Sequence, residues 1–189
     1  VTDGELTGSG KRLMNLVVSG ALDMNGGVIS GAGGTNVYVL DGKVSINGGT
    51  IDGAKIDNIY VKDGELAVAG GIISKGKHGV HNVGTSVVTK GTYDNNTNSI
   101  YNEGKITLSG LSFGNSQGHN IYNTGKNAEM SAENVVIESA TSHGVYNASG
   151  ATLNAKQLTV KSALAQGVHN GGGYLTGENV TVVRAGAAG

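Results

Sequence analysis

The sequence predicts an all-β chain wound as a right-handed parallel β-helix, with three short strands per coil and about eight coils of 20–24 residues. Three observations carry this. One phrase recurs at a nearly constant interval, its pieces alternate apolar with polar residues, and Gly and Asn are abundant enough to supply a turn after every few residues. The phrase is Ile/Val, then Tyr/His, then Asn/Val, with a Gly three or four residues after the ring. It reads Val37-Tyr38-Val39, Ile59-Tyr60-Val61, Val80-His81-Asn82, Ile100-Tyr101-Asn102, Ile121-Tyr122-Asn123, Val145-Tyr146-Asn147 and Val168-His169-Asn170. Successive rings lie 22, 21, 20, 21, 24 and 23 residues apart. Leu16-Val17-Val18 is a weaker earlier copy, and Asp3-Gly4-Glu5-Leu6 matches the tail of another when set beside Asp63-Gly64-Glu65-Leu66.

Each copy divides into three β-prone pieces. One reads Ser99-Ile100-Tyr101-Asn102, turn, Lys105-Ile106-Thr107-Leu108, turn, Leu111-Ser112-Phe113. Alternation at period two is strand periodicity, and no stretch sustains apolar residues at helical spacing. Pieces this short close their backbone ladders only by pairing with their equivalents in the next copy, which also buries one continuous core. A leucine-rich repeat needs several Leu per copy and a helical segment, and a left-handed hexapeptide helix does not fit the interval. Eight coils at an inter-strand spacing of ~4.8 Å make a prism roughly 40 Å long.

Composition agrees and excludes other classes. Of 189 residues 34 are Gly and nineteen are Asn, and there is no Pro, Cys or Trp. Charged residues are 14% and the net charge is −1, which gives no electrostatic case for nucleic acid. Without Cys there is no disulfide framework, thiol nucleophile or Cys-based zinc site, and a secreted chain that avoids stray disulfides would read this way. No apolar run approaches the ~18 residues of a membrane span, so this segment is expected not to insert into a membrane, and no signal peptide opens it.

The phrases Ile100-Tyr101-Asn102-Glu103-Gly104-Lys105-Ile106-Thr107-Leu108-Ser109-Gly110 and Asn47-Gly48-Gly49-Thr50-Ile51-Asp52-Gly53 resemble the parallel β-helix repeats of large bacterial surface and secreted proteins, adhesin-like proteins and the passenger regions of autotransporters among them. The likeness covers nearly the whole chain. It implies a single domain over residues 1–189, placed outside the cell or on the bacterial surface. Adhesins, polysaccharide lyases, glycosidases and phage tailspikes all use this scaffold, so the likeness is loose for function.

Period two also assigns faces. Val37, Ile59, Val80, Ile100, Ile121, Val145 and Val168 should point inward, and so should Val18, Val39 and Val61 followed by Asn82, Asn102, Asn123, Asn147 and Asn170. A lone buried amide costs about 1–3 kcal/mol. Stacked one per coil, each Asn donates to one neighbour and accepts from the other, so these five predict a structural ladder. The opposite parity gives an outward column of Tyr38, Tyr60, His81, Tyr101, Tyr122, Tyr146 and His169. Rings ~4.8 Å apart stabilise a pleated face by stacking, and a flat aromatic strip also suits a sugar chain or a protein partner. These seven are therefore the candidate binding residues, for a host or bacterial surface glycan or protein.

Other chemistry is sparse. His78, His119 and His143 lie three residues before the ring, where other copies carry Asp57, Asn98 and Gln166. His119 and His143 fall in adjacent coils, but two His without a third ligand read as polar turn positions rather than a metal site. Asp3, Asp41 and Asp63 each precede Gly, an ordinary turn pair that offers too few oxygens for Ca²⁺. The acids lie mostly in turns or alternate with apolar residues, no Asp-Asp pair occurs, Arg is limited to Arg12 and Arg184, and the His-Gly pairs at His78 and His143 lack the acids of a galacturonase segment. Gly31-Ala32-Gly33-Gly34 follows no phosphate-binding pattern. No catalytic residue and no cofactor are therefore assigned. Neither Val1 nor Arg184-Ala185-Gly186-Ala187-Ala188-Gly189 reads as a cap, which predicts a fragment of a longer repeat protein or a subunit that associates end to end. The leading expectation is a non-catalytic scaffold or adhesin segment. The alternatives are a polysaccharide-active enzyme or its remnant, and a self-assembling fibre subunit.

Overall fold

The computed structural model describes residues 4–8, 10 and 13–186, so Val1, Asp3, Arg12 and Ala187–Gly189 lie outside the described residues. The described chain is all-β, with no helix, and forms a parallel β-solenoid of about eight turns. The first strands of the coils stack in chain order as one eight-stranded sheet: Met14–Val18, Thr35–Val39, Asp57–Val61, His78–Asn82, Asn98–Asn102, Ile121–Asn123, Val145–Ala148 and Val168–Gly171. These define coils 1 to 8. Second and third strands share a thirteen-stranded sheet. In coils 3, 4, 6 and 7 they run together as Glu65–Ser74, Thr85–Asp94, Glu129–Ala140 and Thr152–Val160.

The strands run together because the corner between them bends the chain without ending the ladder. In coils 1 to 4 the corner residue is Gly27, Gly49, Gly71 or Gly91, at φ 80°, 86°, 87° and 120°. In coils 5 to 8 it is Gly110, Asn134, Gln157 or Asn179, at φ 65°, 54°, 53° and 54°. The register differs as well. Thr92 pairs Ile72 directly after its glycine, whereas Ser112 pairs Val136 one residue further from the left-handed position. The inserted residue turns inward, and Leu111, Val135 and Leu158 are buried.

Inside, each strand contributes apolar columns at period two. Val37, Ile59, Val80, Ile100 and Ile121 are each 0% exposed. The third-strand column runs Ile29, Ile51, Ile73, Tyr93, Phe113, Ile137 and Val160, all buried, with the Tyr93 and Phe113 rings 5.3 Å apart. The repeated Gly after the aromatic phrase has a steric cause. A Cβ on Gly84 would lie 2.6 Å from the carbonyl oxygen of Gly64 in the coil below, too close for any side chain.

Two expectations are corrected. Glu5–Thr7 does not align with Glu65-Leu66: its partners are Val28, Ile29 and Ser30, so it is a third strand. The Asp-Gly-polar-apolar phrase fits either corner, and here the carbonyl of Gly4 accepts from Val28 N at the left-handed corner of Gly27. Asn170 is in register with Asn147 but exposed, because no described coil covers it.

Two amide ladders stiffen the solenoid. The predicted one runs Asn82, Asn102, Asn123, Asn147 and Asn170, each Nδ2 donating to the next Oδ1 at 2.8 Å. Each of the first four also donates to nearby backbone carbonyls across the corner after the first strand. The second ladder closes the corner before that strand. Asn15 donates to Asn36 at 2.9 Å, Asn36 to Asn58 at 3.0 Å, and Asn58 to Asn96 at 3.3 Å. Its Nδ2 groups also reach the third-strand carbonyls of Ser30, Asp52, Ser74 and Ile73.

Candidate functional site

The seven candidate binding residues form one column on the outer face of the first-strand sheet. Tyr38, Tyr60, His81, Tyr101, Tyr122, Tyr146 and His169 are paired ring to ring in register through coils 2 to 8. Neighbouring centroids lie 5.0, 4.7, 4.8, 5.1, 5.0 and 4.9 Å apart, and every ring is half-buried. The strip is corrugated rather than flat. Tyr38 and Tyr60 stack at 20° and Tyr146 and His169 at 4°, but the four pairs between them meet at 83°, 74°, 87° and 85°. Edge-to-face contact sets the positive rim of one ring against the negative face of the next, which favours it over a sandwich.

A second column flanks the first, three residues nearer the strand start: Asp57, His78, Asn98, His119, His143 and Gln166. His119 and His143 stack at 5.1 Å and 8°, His78 stands edge-on to Tyr101 at 4.5 Å, and His119 lies 5.4 Å from Tyr146. The column is tied coil to coil by its own acceptors. Asn98 Oδ1 accepts from His119 N at 3.3 Å, His119 Nδ1 from His143 N at 3.3 Å, and His143 Nδ1 from Gln166 N at 3.2 Å. Both imidazoles therefore carry their proton on Nε2 when neutral. Burial pushes His119 down to about 4, helped by its neighbour His143, and burial with His169 lowers His143.

Coil 4 holds a different arrangement. His81 Nδ1 lies 3.2 Å from Asp57 and its Nε2 lies 3.0 Å from Glu103, so one imidazole joins carboxylates of coils 3 and 5. Burial opposes charge on His81, but the hydrogen bonds to Asp57 and Glu103 outweigh it and raise its pKa. Adjacent His78 is pushed down to about 4 by burial, and its Nδ1 is buried without a partner. An open groove of about 400 Å³ runs here, lined by Ile56, Asp57, Lys77, His78, His81, Asn98, Tyr101 and Tyr122.

Sequence reasoning placed the ring column and the second His column but missed that Asp57 and Glu103 converge. The signal was present: Asp57 occupies the His78 position one coil below, and Glu103 follows Asn102 one coil above. Asp41 and Asp63 are exposed, with Asp63 3.7 Å from Lys62. Among the described residues no group of three or more His, Asp or Glu is disposed to hold a metal ion, and no helix is long and apolar enough to cross a membrane. A further groove of about 390 Å³ on the second-strand face is lined by Ser131, Glu133, Asn154, Lys156, Thr176 and Glu178 and contains no ring. Compared with protein-family models, curated proteins and solved structures, the chain has no match.

Proposed function

We propose that this solenoid is a non-catalytic, elongated scaffold segment of a bacterial cell-surface or secreted protein, and that it adheres through the Tyr/His face. The observation that carries the reading is the unbroken column of seven half-buried rings in register over seven coils. Two amide ladders hold the coils beneath it at fixed spacing, so the column behaves as a rigid template rather than a set of independent side chains. Rigid aromatic groups lose little entropy on contact, and each offers an apolar ring beside a polar tip. A surface glycan or protein is the partner that such a face suits.

A glycan-active enzyme is the second reading, and the carboxylates of Asp57 and Glu103 are what favours it. Each turns one oxygen to His81, so in this arrangement the pair bridges coils 3 and 5 through one imidazole. Binding to a glycan array and to immobilised surface proteins tests adhesion, with Tyr101→Ala/Tyr122→Ala as the comparison. Loss of binding with unchanged melting supports the face; equal binding by both proteins removes it. Turnover of polyuronides by the wild type would replace the scaffold reading with the enzymatic one.

A further inference from the structure

The adhesive face is not uniform along its length. Coils 3 to 5 carry Asp57 and Glu103 beside the rings; burial pushes the Tyr60 and Tyr101 hydroxyls up, and these carboxylates add to it. Coils 6 to 8 carry imidazoles instead. His119 and His143 stack at 8°, Tyr146 and His169 stack at 4°, and the two stacks touch, with His143 and His169 4.8 Å apart. Stacked rings cover one another's faces and turn their positively polarised edges outward. His119 and His143 use Nδ1 to accept backbone N–H groups, so the edge left to solvent is the donor Nε2–H. The titratable groups facing these rings are the rings themselves and Tyr122, and the charged residues of the neighbouring third strands, Glu138 and Lys161, are paired with each other at 2.8 Å. A patch with donors, positive ring edges and protonatable nitrogens, and without a carboxylate, selects an anion.

Building on the adhesive reading, we propose that the array of His119, His143, Tyr146 and His169 is a binding site for acidic glycan, one bearing carboxylate or sulfate groups, and that binding takes up protons. An anion set against the imidazoles favours their charged form, which burial otherwise disfavours. Affinity must then rise as the pH falls.

Titration calorimetry with polygalacturonate, and with the same polymer methyl-esterified, between pH 7.5 and pH 5.0 reads the proposal. The acidic polymer should gain about ten-fold in affinity over that range through proton linkage, and the esterified polymer should gain nothing. The informative variant is His119→Asn/His143→Gln, because Asn98 stands at that position in coil 5 and accepts the same backbone N–H, and Gln166 stands there in coil 8. It should melt like the wild type at pH 7.5 and lose the pH-dependent gain, whereas Thr107→Ala, an exposed position on the second-strand face, should keep it. A gain that persists in the double variant, or equal binding of the esterified polymer, overturns the proposal. So does failure of both polymers to bind, and in that case the adhesive reading survives only if the Tyr101→Ala/Tyr122→Ala comparison still finds a partner.

Discussion

Coils 1 to 3 and coils 4 to 8 solve one problem in two ways. Every coil turns sharply on both sides of its first strand, and backbone groups at the turns need partners. Coils 1 to 3 place Asn15, Asn36 and Asn58 at the start of that strand and Val18, Val39 and Val61 at its end. Coils 4 to 8 place Gly79, Ser99, Asn120, Gly144 and Gly167 at the start and the five-Asn ladder at the end. The ladder has changed corners, with Asn120 of coil 6 keeping an amide at the start as well, while the strand and its core residue stay in register. The lesson is that an interior polar position in a solenoid is settled by its column, not by its own coil.

The hand-over in coil 4 is mended by two local devices. Gly79 has no side chain for the Asn15–Asn36–Asn58 ladder, and Asn96 reaches in from the turn before coil 5. Its Oδ1 takes the donors of Asn58 and of Gly76 N, the latter at 2.9 Å. The five-Asn ladder begins at Asn82, which has Val61 below it and so no amide donor. Ser86 Oγ supplies one, at 2.6 Å to Asn82 Oδ1. Ser86 occupies a column whose other buried members include Val44, Leu66, Ile106, Met130 and Leu153, and the ladder's first rung accounts for this exception.

The sharpest way to break the comparison is to give a late coil the early residue. Asn102→Val deprives Asn123 Oδ1 of its amide donor and the Gly104 carbonyl of its side-chain donor, and removes the acceptor for Asn82. Leaving such groups buried should cost about 3 kcal/mol, read from denaturant unfolding. Loss under about 0.5 kcal/mol, the level of an ordinary surface substitution, would mean that the ladder is ornamental.

Next in size is the first rung. Ser86→Ala leaves Asn82 Oδ1 without its donor and should cost about 1–2 kcal/mol. Combined with Asn82→Val, which converts coil 4 to the early type, the serine has nothing left to satisfy. The double variant should therefore be less destabilised than the two single changes summed, a coupling that a double-mutant cycle measures. Additive losses would detach Ser86 from the ladder. Tyr93, next to the changed third-strand corner, works in the opposite direction. Its hydroxyl is fully buried without a partner, and the column continues into Phe113. Tyr93→Phe should stabilise the protein by about 1 kcal/mol, visible as a raised melting temperature.

How far these features could be read from the residues follows from their periodicity. The strands, inward columns, five-Asn ladder and ring column repeat at fixed phase within each copy, so alignment of the copies brings them out. Asn15, Asn36 and Asn58 also share a phase, but they alternate with Ser, Gly and Asn of other copies and look like turn residues. Asn96 stands in a phase held in later coils by Ser116, Ala140 and Ala163, and its role depends on the gap left by Gly79 in three dimensions. The convergence of Asp57, His81 and Glu103 joins three different phases, and only side-chain reach across the columns completes it. What repeats was legible, and what repairs or interrupts the repeat was not.

The smallest expected effect compares the imidazoles of the two regions by pH. His81, at the hand-over, has a raised pKa, so its contribution to stability is full below its ordinary value of 6.5 and is lost as the pH rises through the folded value. His78 and His119 are held down to about 4, so they favour folding above 6.5, and that contribution is lost as the pH falls from 6.5 towards 4. The melting temperature should therefore drop on the acid side mainly through His78 and His119. His119→Asn, which keeps an acceptor for the backbone N–H of His143, should reduce that drop by a few degrees at most. His81→Gln should instead lower the melting temperature most at pH 5.5 to 6.5, where the imidazolium joins Asp57 to Glu103, and least at pH 8. His81 and His119 sit at a half-open surface where solvent screens the charge, so the profiles of their variants should differ in shape more than in height. Parallel profiles for the two variants would show that imidazole charge plays the same part on both sides of coil 4.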